Sequence, residues 1–428
     1  MKQTAKKVVV AILTWQASML IKKHKPTVIA ITGSVGKTTT KDAIYAAIKN
    51  SVSARKSEKS FNSEIGVPLT VLGLQNGWNN PIIWAKNIID GFLLVIFQKN
   101  YPSVLVLETG IDRPGDMDAL TKWINPDIAV LTRLPSVPVH VEYFSSPEEV
   151  VKEKMKLVEA LKPDGCLVYN NDDTIIQAQL PNVRQKVIGY SRYLASEFNT
   201  SGDQIIYKDN KIVGTQFTVS HKDQRYTVVI PDSVGTQHVY ACSAAIATAF
   251  ELGIDIENAV EGLRDLKPPR GRMRVIPGLK SSTLIDDTYN SSPIAAEAAL
   301  QTLKEIKHAK RKIAVLGDML ELGKYSSTEH HRIGEMCASS VQMLITIGVR
   351  SRKIAEGALA AGMDEENILQ YESVERAGKE LQNLLQPGDV VLVKASQGIR
   401  AEKLIEEVMA EPQFAKDILV RQGRAWLK

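Results

Sequence analysis

The stretch that decides the fold is Val28-Ile29-Ala30-Ile31-Thr32-Gly33-Ser34-Val35-Gly36-Lys37-Thr38-Thr39-Thr40. An apolar run of valine and isoleucine ends at a glycine, a short turn follows, and the residues from Thr39 to Lys49 have the pattern of a helix. A strand, a glycine-containing turn and a helix N-terminus form a phosphate cradle, because backbone N–H groups and the helix dipole face the anion. The sequence therefore predicts an ATP or GTP site.

The turn supplies both charge and a metal ligand. Lys37 is expected to neutralise the β- and γ-phosphates, and the hydroxyl of Thr38 is expected to hold Mg²⁺. The match to the general P-loop pattern is incomplete, because its first glycine would fall on Ile31. The structural alternative is a glycine turn with an unrelated lysine. The residues expected to bind nucleotide here are Gly33, Ser34, Val35, Gly36, Lys37, Thr38 and Thr39.

Composition describes an ordinary globular chain of 428 residues, 44% hydrophobic and 24% charged, which is long enough for two or three domains. The net charge of +5 is a small surplus that argues against a nucleic-acid partner and is compatible with an anionic substrate or a membrane surface. Cys166, Cys242 and Cys337 are scattered, with no CxxC pair. This usage predicts a reducing, cytoplasmic setting and no zinc ribbon.

Strands alternate with helices on both sides of a linker, Leu266-Lys267-Pro268-Pro269-Arg270-Gly271-Arg272. We predict an α/β fold: a P-loop domain with a mostly parallel sheet and a small antiparallel insertion at about residues 197–230, then a Rossmann-like α/β domain. The expected parts are an amphipathic helix over residues 1–25, an ATP-binding central domain over 26–270 and a C-terminal domain over 271–428.

Two apolar segments leave alternatives open. The first helix contains the run Val8 to Leu13 between lysines, and Pro81 to Gln98 is apolar except at Lys86, Asn87 and Asp90. Neither should span a bilayer. Each segment either packs on the protein or lies partly in a membrane interface, so peripheral membrane contact through residues 1–25 and 81–98 remains an expectation.

Glu108 follows the apolar strand from Val104 to Leu107. A carboxylate at the carboxyl end of a strand beside the P-loop strand can reach nucleotide-bound Mg²⁺, because open α/β sheets bind ligands at that edge. His140 lies in a proline-rich loop, and Lys154 lies in a helix rich in glutamate and lysine. Taken alone, such a lysine is typical of a solvated helix face.

Several motifs, in this order, resemble those of the Mur ligase superfamily, which are ATP-dependent amide-bond-forming enzymes. The branch that adds D-alanyl-D-alanine is the most similar. The resemblance runs from about Lys25 to the C-terminus. Besides residues 31–40, it rests on Asn62 to Thr70, Glu108-Thr109-Gly110 through Arg113-Pro114-Gly115, His140-Val141-Glu142, Asn170 to Asp173, Gly271-Arg272, Asp286-Asp287-Thr288-Tyr289-Asn290-Ser291-Ser292-Pro293 and Leu316-Gly317-Asp318-Met319-Leu320-Glu321-Leu322-Gly323.

The resemblance implies roles for residues that are otherwise unremarkable. Glu108 and His140 would join Thr38 as metal ligands, and Lys154 would be carbamylated, which converts a cation into an anionic oxygen donor suited to Mg²⁺. Arg272 would reach the phosphates from the linker, and Asp287 would bind the ribose. The implied catalytic residues are Lys37, Glu108, His140, Lys154 and Arg272, and the nucleotide site would also include Tyr289 and Asn290.

The implied chemistry is acyl-phosphate formation with ATP and two Mg²⁺ ions, followed by attack of an amine. The expected activity is the addition of D-Ala-D-Ala to a muramoyl-tripeptide in peptidoglycan precursor synthesis. The expected partners are small peptide or amino-acid substrates, with no nucleic acid. We expect a monomer in the cytoplasm, at or near the inner face of the membrane.

Three departures from the family pattern keep alternatives open. About 25 residues precede the first strand, where the family has a UDP-sugar-binding domain. Ala241 stands where an adenine-contacting asparagine is usual, and Lys394-Ala395-Ser396-Gln397 replaces Lys-Gly-Ser-Arg. The alternatives are a ligase for a lipid-linked, non-sugar peptide or poly-amino-acid substrate, an inactive nucleotide-binding regulator, and a P-loop kinase or GTPase.

Overall fold

In a computed structural model of the protein, described for residues 3–58, 62–423 and 426, strands and helices alternate along the chain. Residues 1 and 2 of the predicted first helix, and residues 60 and 61 before Asn62, lie outside the described residues. The elements up to the linker are α1 (Gln3–His24), β1 (Thr27–Thr32), α2 (Lys37–Ile48), β2 (Ala54–Lys56), α3 (Gly66–Leu72), α4 (Pro81–Phe97), β3 (Val104–Glu108), α5 (Asp116–Thr121), β4 (Ile128–Leu131), α6 (Pro147–Glu159), β5 (Cys166–Asn170), α7 (Thr174–Gln179), β6 (Lys186–Ser191), β7 (Phe198–Lys208), β8 (Lys211–His221), β9 (Gln224–Pro231), α8 (Thr236–Glu251) and α9 (Ile256–Leu263).

The strands before the linker form one sheet of nine strands within the described chain, in the order β2-β3-β1-β4-β5-β6-β7-β8-β9. Pairing is parallel from β2 to β7 and antiparallel for β7, β8 and β9. The predicted antiparallel insertion is confirmed, and its strands extend the parallel sheet. The sheet order places β1 between β3 and β4, so the residues after these three strands meet at one edge.

After the linker the elements are β10 (Arg274–Pro277), β11 (Thr283–Asp287), α10 (Pro293–Glu305), β12 (Arg311–Gly317), α11 (Ser326–Ala338), β13 (Met343–Ile347), α12 (Arg352–Ala360), β14 (Ile368–Tyr371), α13 (Val374–Leu384), β15 (Asp389–Lys394), α14 (Glu402–Val408) and α15 (Ala415–Ile418). They form a second sheet in the order β10-β11-β15-β12-β13-β14. The predicted parallel α/β arrangement is confirmed for β11 to β15, whereas the edge strand β10 runs antiparallel to β11.

The two faces of β1 explain why the first sheet is covered on both sides. Successive side chains alternate between faces. Ile29 and Ile31 pack with α2, α8 and α9, whereas Val28 and Ala30 pack against residues of α1 and α3. Burial on both faces accounts for the continuous apolar character of this strand.

The N-terminal helix α1 packs on the protein, which is one of the two alternatives predicted for it. Leu13, Ala17 and Leu20 are fully buried. Nε2 of Gln16 donates to the carbonyl oxygen of Ile88 in α4 at 2.9 Å. The helices approach closely at Gly91, where a Cβ would lie 2.1 Å from Oε1 of Gln16. No helix in the described part of the chain combines the length and hydropathy needed to cross a membrane.

Candidate active site

The phosphate loop joins β1 to α2, and its shape requires glycine at two positions. Gly33 and Gly36 have φ angles of 143° and 91°, which other residues rarely adopt. A Cβ on Gly33 would lie 2.0 Å from Oγ1 of Thr132, directly after β4. The same hydroxyl donates to the carbonyl oxygen of Val35 at 2.7 Å. The neighbouring strand therefore fixes the loop.

Two lysine side chains converge on one carbonyl oxygen of this loop. Nζ of Lys37 donates to the oxygen of Gly33 at 2.9 Å, and Nζ of Lys154, from the buried face of α6, donates to the same oxygen at 3.3 Å. Desolvation is the main cause that lowers the pKa of Lys37. Desolvation, followed by the nearby Lys37 cation, holds the pKa of Lys154 well below its usual value. An anion placed here would favour the charged form of both groups.

Glu108 at the end of β3 meets Thr38 in the first turn of α2. Oγ1 of Thr38 donates to Oε1 of Glu108 at 3.1 Å, and Nδ2 of Asn62 donates to the same oxygen at 3.3 Å. The second oxygen, Oε2, is buried without a hydrogen bond in the described residues, and Nζ of Lys41 lies 3.9 Å from it. A hydroxyl and a carboxylate oxygen at the phosphate loop are donors that Mg²⁺ prefers.

The residues therefore fit a nucleotide-bound Mg²⁺ more readily than a protein-only metal site. Among the described residues, no group of three or more His, Cys, Asp or Glu is spaced to hold a metal ion. Mg²⁺ in phosphate-transfer sites usually takes one or two protein ligands and completes its shell with phosphate and water. Thr38 and Glu108 match that pattern.

His140 contacts the C-terminal half of the protein. Its Nδ1 lies 2.7 Å from Oε2 of Glu321, and its Nε2 lies 3.6 Å from Oδ1 of Asp112. The hydrogen bond with His140 is the main cause that lowers the pKa of Glu321. The adjacent Gly323 packs on this loop, since a Cβ there would lie 3.0 Å from Cβ of Glu142. The predicted ligand His140 thus has two carboxylate neighbours that sequence reasoning did not identify.

A cleft lies between the phosphate loop and the second sheet. Of the predicted nucleotide-binding residues, it brings together Val35, Gly36, Thr39, Arg272 and Asp287. Residues that were not predicted to bind nucleotide also line it, including Arg133, Asn170, Tyr190, Tyr240, Ile294, Ala298 and Lys394.

Arg272 and Asp287 reach the cleft from the second half of the chain. The guanidinium carbon of Arg272 lies 4.1 Å from the ring centre of Tyr289. Oδ2 of Asp287 accepts a hydrogen bond of 2.6 Å from Nζ of Lys394, which also donates to the carbonyl oxygen of Asn290 at 3.0 Å. Lys394 therefore bridges Asp287 and Asn290. Of these two partners, Asp287 lines the cleft and Asn290 does not.

His238 supports the linker and does not line the cleft. It is fully buried, and its Nε2 lies 2.9 Å from the carbonyl oxygen of Arg272. Burial lowers its pKa to about 4, so the imidazole is neutral at physiological pH. Ala241, on the same helix, does line the cleft. Its methyl group makes the lining apolar at this point, where an asparagine would offer hydrogen bonds.

A phosphate loop, an adjacent Thr–Glu pair and a cleft completed by a second α/β sheet define an ATP-dependent ligase of the P-loop type. Two family models match the chain. The Mur ligase middle domain matches residues 31–84 and 86–249, and the Mur ligase glutamate ligase domain matches residues 271–397. The chain belongs to the Mur ligase family, whose members are ATP-dependent ligases that use Mg²⁺.

Similar proteins extend over most of the chain. A UDP-N-acetylmuramoyl-tripeptide–D-alanyl-D-alanine ligase of Mycobacterium leprae is 30% identical over 410 residues, covering 90% of this chain and 74% of the relative. The Bacillus subtilis ligase of the same name is 29% identical over 389 residues, covering 90% and 76%. The crystal structure of the MurF ligase of Thermotoga maritima with ADP superposes with a TM-score of 0.76 at 25% identity, covering 96% of this chain and 84% of that one.

Proposed function

We propose that the protein joins D-Ala-D-Ala to a UDP-N-acetylmuramoyl-tripeptide, with ATP as the energy source. The relatives that carry this name support the substrate assignment. The observation that carries the ligase chemistry is the convergence of Lys37 and Lys154 on the carbonyl oxygen of Gly33, beside Thr38 and Glu108. The Lys37 cation and the N–H groups of this loop are suited to an anion with several charges, as a triphosphate has.

We assign the nucleotide phosphates to the N–H groups and side chains of the loop from Gly33 to Thr39. Mg²⁺ would be held by Thr38 and Glu108, and it would supply charge neutralisation at the transferred phosphoryl group. Arg272 would contact the phosphates from the linker side, and Asp287 the ribose through the carboxylate oxygen that Lys394 does not bind. Tyr289 would position Arg272 through the stacked ring.

We propose that a second Mg²⁺ is held by His140 and by a carbamate on Lys154. A lysine amine attacks CO₂ only when it is neutral, and the lowered pKa of Lys154 increases its neutral fraction. The nitrogen forms a bond to the carbon of CO₂ and loses a proton, which leaves a carbamate anion. That anion would stand beside the Lys37 cation, so the two charges would then attract.

The proposed reaction begins with attack of a substrate carboxylate on the γ-phosphorus of ATP. Lys37 and Arg272 would offset the negative charge of the transferred group, and the incoming amine would then displace phosphate from the acyl-phosphate through a tetrahedral intermediate. We place the boundary between the two catalytic halves at residues 270 and 271. Gly271 has a φ of 66° there, so the linker contains a backbone conformation that glycine permits.

We also propose that the enzyme acts in the cytoplasm as a monomer. The cytoplasm supplies ATP and is a reducing compartment. Cys166, Cys242 and Cys337 are buried and unpaired, which suits such a compartment.

The test is phosphate release from ATP and Mg²⁺ with UDP-N-acetylmuramoyl-tripeptide, with and without D-Ala-D-Ala. The proposal predicts release that requires both substrates, together with a pentapeptide product identified by mass. A Lys37→Met variant is the control for contaminating ATPases. Absence of the product, while Mg²⁺–ATP still binds, would contradict the substrate assignment.

One observation favours a second candidate function. The outer faces of α1 and α4 expose large apolar side chains, which suits a ligase whose acyl substrate is linked to a lipid. Repeating the assay with a lipid-linked tripeptide in place of the UDP-linked one distinguishes the two candidates, because the lipid-linked tripeptide would then be the better substrate.

A further inference from the structure

The helices α1 and α4 present a continuous apolar surface, which is called the apolar face here. From α1 it includes Val8 and Trp15, and from α4 it includes Ile82, Ile89, Ile96 and Phe97. These four α4 side chains are exposed by 60–77%. Ile82, Ile89 and Ile96 recur every seven residues, so they form one stripe along the helix.

The exposed apolar side chains of α1 and α4 lie next to each other. The rings of Trp15 and Phe92 lie 5.7 Å apart, between the outer sides of the two helices. The helices run in the same direction, because Gln16 bonds to Ile88 and Lys23 bonds to Val95, seven residues further along both. At 17 residues, α4 alone gives the face a length of ~25 Å.

Lysines surround this face almost without acidic residues. The described residues of these segments, 3–25 and 76–103, contain seven lysines and one acidic residue, Asp90, whose Oδ2 bonds to Nζ of Lys86 at 2.5 Å. Outside them, Glu64 pairs with Lys6. The whole chain has a net charge of only +5, so the positive charge is concentrated here. Lys22, Lys25 and Lys99 are exposed at the end where α1 and α4 finish. An apolar face bordered by lysine is complementary to an anionic lipid surface.

A second copy of the chain fits this face less well. A two-fold contact would place each lysine-bordered face against the same face of its partner, with like charges close together. The exposed indole rings of Trp15 and Trp78 are instead typical of a membrane–water interface. No described helix can cross the bilayer, so contact would be made in the plane of the membrane surface.

The topology leaves the active site accessible in this orientation. The chain passes from the C-terminus of α1 directly into β1, and from that of α4 through a short loop into β3. Lys22, Lys25 and Lys99 therefore lie at the amino ends of these strands, opposite the phosphate loop. At the other end of α1, Nζ of Lys6 pairs with Oε1 of Glu64 at 2.8 Å, near the Asn62 that bonds to Glu108.

We propose that the apolar face of α1 and α4 is a docking surface for anionic phospholipid, which holds the enzyme at a membrane without spanning it. This inference does not depend on whether the acyl substrate is soluble or lipid-linked, because vesicle binding is measured without substrate. The apolar stripe would enter the headgroup region, and the lysines would lie at the level of the lipid phosphates.

The test is co-sedimentation of the full chain with vesicles of phosphatidylglycerol and phosphatidylcholine, compared with phosphatidylcholine alone. We expect binding to the anionic vesicles that weakens as salt is raised. The triple variant I89S/I96S/F97S should bind at least tenfold more weakly. The variant K22Q/K25Q/K99Q should lose about fivefold for each lysine that lies near the lipid surface.

Matched controls separate this surface from general charge effects. The variant K208Q/K211Q/K222Q removes three exposed lysines from the β7–β9 strands and their turns, and it should bind like the wild type. Phosphate release with soluble substrates, measured without vesicles, should be unchanged in all three variants, which shows that they fold. If the wild type releases no phosphate with these substrates, the proposed function is contradicted, and the vesicle experiment still tests the docking surface.

Three outcomes would overturn the inference. The wild type does not bind the anionic vesicles; I89S/I96S/F97S binds them as tightly as the wild type; or sedimentation velocity shows a dimer that this variant dissociates while no vesicle binding is detected. The last result would assign the face to a second copy of the chain.

Discussion

Partly or fully buried lysines lie at the carboxyl ends of both sheets, but their surroundings differ. At the first sheet, Lys37 and Lys154 share a single neutral acceptor, the carbonyl oxygen of Gly33. At the second sheet, Lys394 contacts the carboxylate of Asp287 at 2.6 Å. Desolvation lowers the pKa of all three lysines, and only Lys394 has a direct carboxylate bond that opposes this effect.

This difference separates a binding site from the structure that positions it. A desolvated cation whose hydrogen bond goes to a neutral carbonyl oxygen is costly, and this favours a ligand that supplies further negative charge. In a buried ion pair with good geometry each charge compensates the other, and removing one partner leaves the other charge uncompensated. The first arrangement should therefore affect catalysis when mutated, and the second should affect folding.

The largest expected effect is at the first sheet. Lys37→Met should lower kcat/KM by about 1,000-fold or more, because the developing charge on the phosphoryl group loses its cation. The free energy of unfolding should be unchanged or higher, since a desolvated cation that is hydrogen-bonded to a neutral carbonyl oxygen is removed. Steady-state phosphate release and urea denaturation measure the two quantities. A variant that lost stability instead would show that Lys37 belongs with the structural pair.

The second expected effect is on folding. Lys394→Met should lower the free energy of unfolding by about 3–5 kcal/mol, because Asp287 would remain buried without its partner. The double variant K394M/D287N should recover part of that loss, which a double-mutant cycle of urea denaturation measures. A loss in the double variant equal to the sum of the losses in Lys394→Met and Asp287→Asn would mean that the pair is not coupled.

A smaller effect is expected where the two halves meet. Arg272→Lys keeps the charge but loses the planar stacking on Tyr289, so kcat should fall by about 10–100-fold. Stability should change by less than about 1 kcal/mol. Single-turnover phosphate release with the substrate carboxylate present measures the chemical step. Unchanged kcat would contradict the assignment of Arg272 to the phosphates.

The smallest effect concerns the neighbouring Asp286. Burial raises the pKa of its carboxyl to about 6. A carboxyl with a raised pKa contributes stability that is complete below its unfolded value near 3.9 and is lost as the pH rises through 6. Relative to Asp286→Asn, the wild type should therefore lose roughly 1–3 kcal/mol between pH 4 and pH 7. Urea denaturation across that range tests this, and parallel pH profiles would contradict it.

The sequence allowed the phosphate loop, the alternating strands and the helix α4 to be predicted, because apolar periodicity and glycine positions are local signals. It did not reveal β10 or β14, which are short strands at the edges of the second sheet. β14 exposes much of its surface, with only Ile368 buried, so its pattern resembles a loop.

Contacts between the two halves could not be read locally. The contact of Glu321 with His140 joins loops 181 residues apart, and neither loop has a local sequence pattern that predicts the contact. The Lys394–Asp287 pair had a usable signal that was missed. Both residues end apolar parallel strands, β15 and β11, and the structure pairs them in register. Charged residues at the ends of two such strands favour a contact.

The central claim is that nucleotide phosphate supplies most of the charge compensation of the desolvated Lys37 cation at the phosphate loop. Calorimetric titration with Mg²⁺–ADP, repeated in buffers of different ionisation enthalpy at pH 8–9.5, measures it most directly. The account predicts net proton uptake, because phosphate raises the lowered pKa of Lys37, and smaller uptake with weaker binding in Lys37→Met. Binding of equal affinity in the two proteins, with no difference in proton uptake, would contradict it.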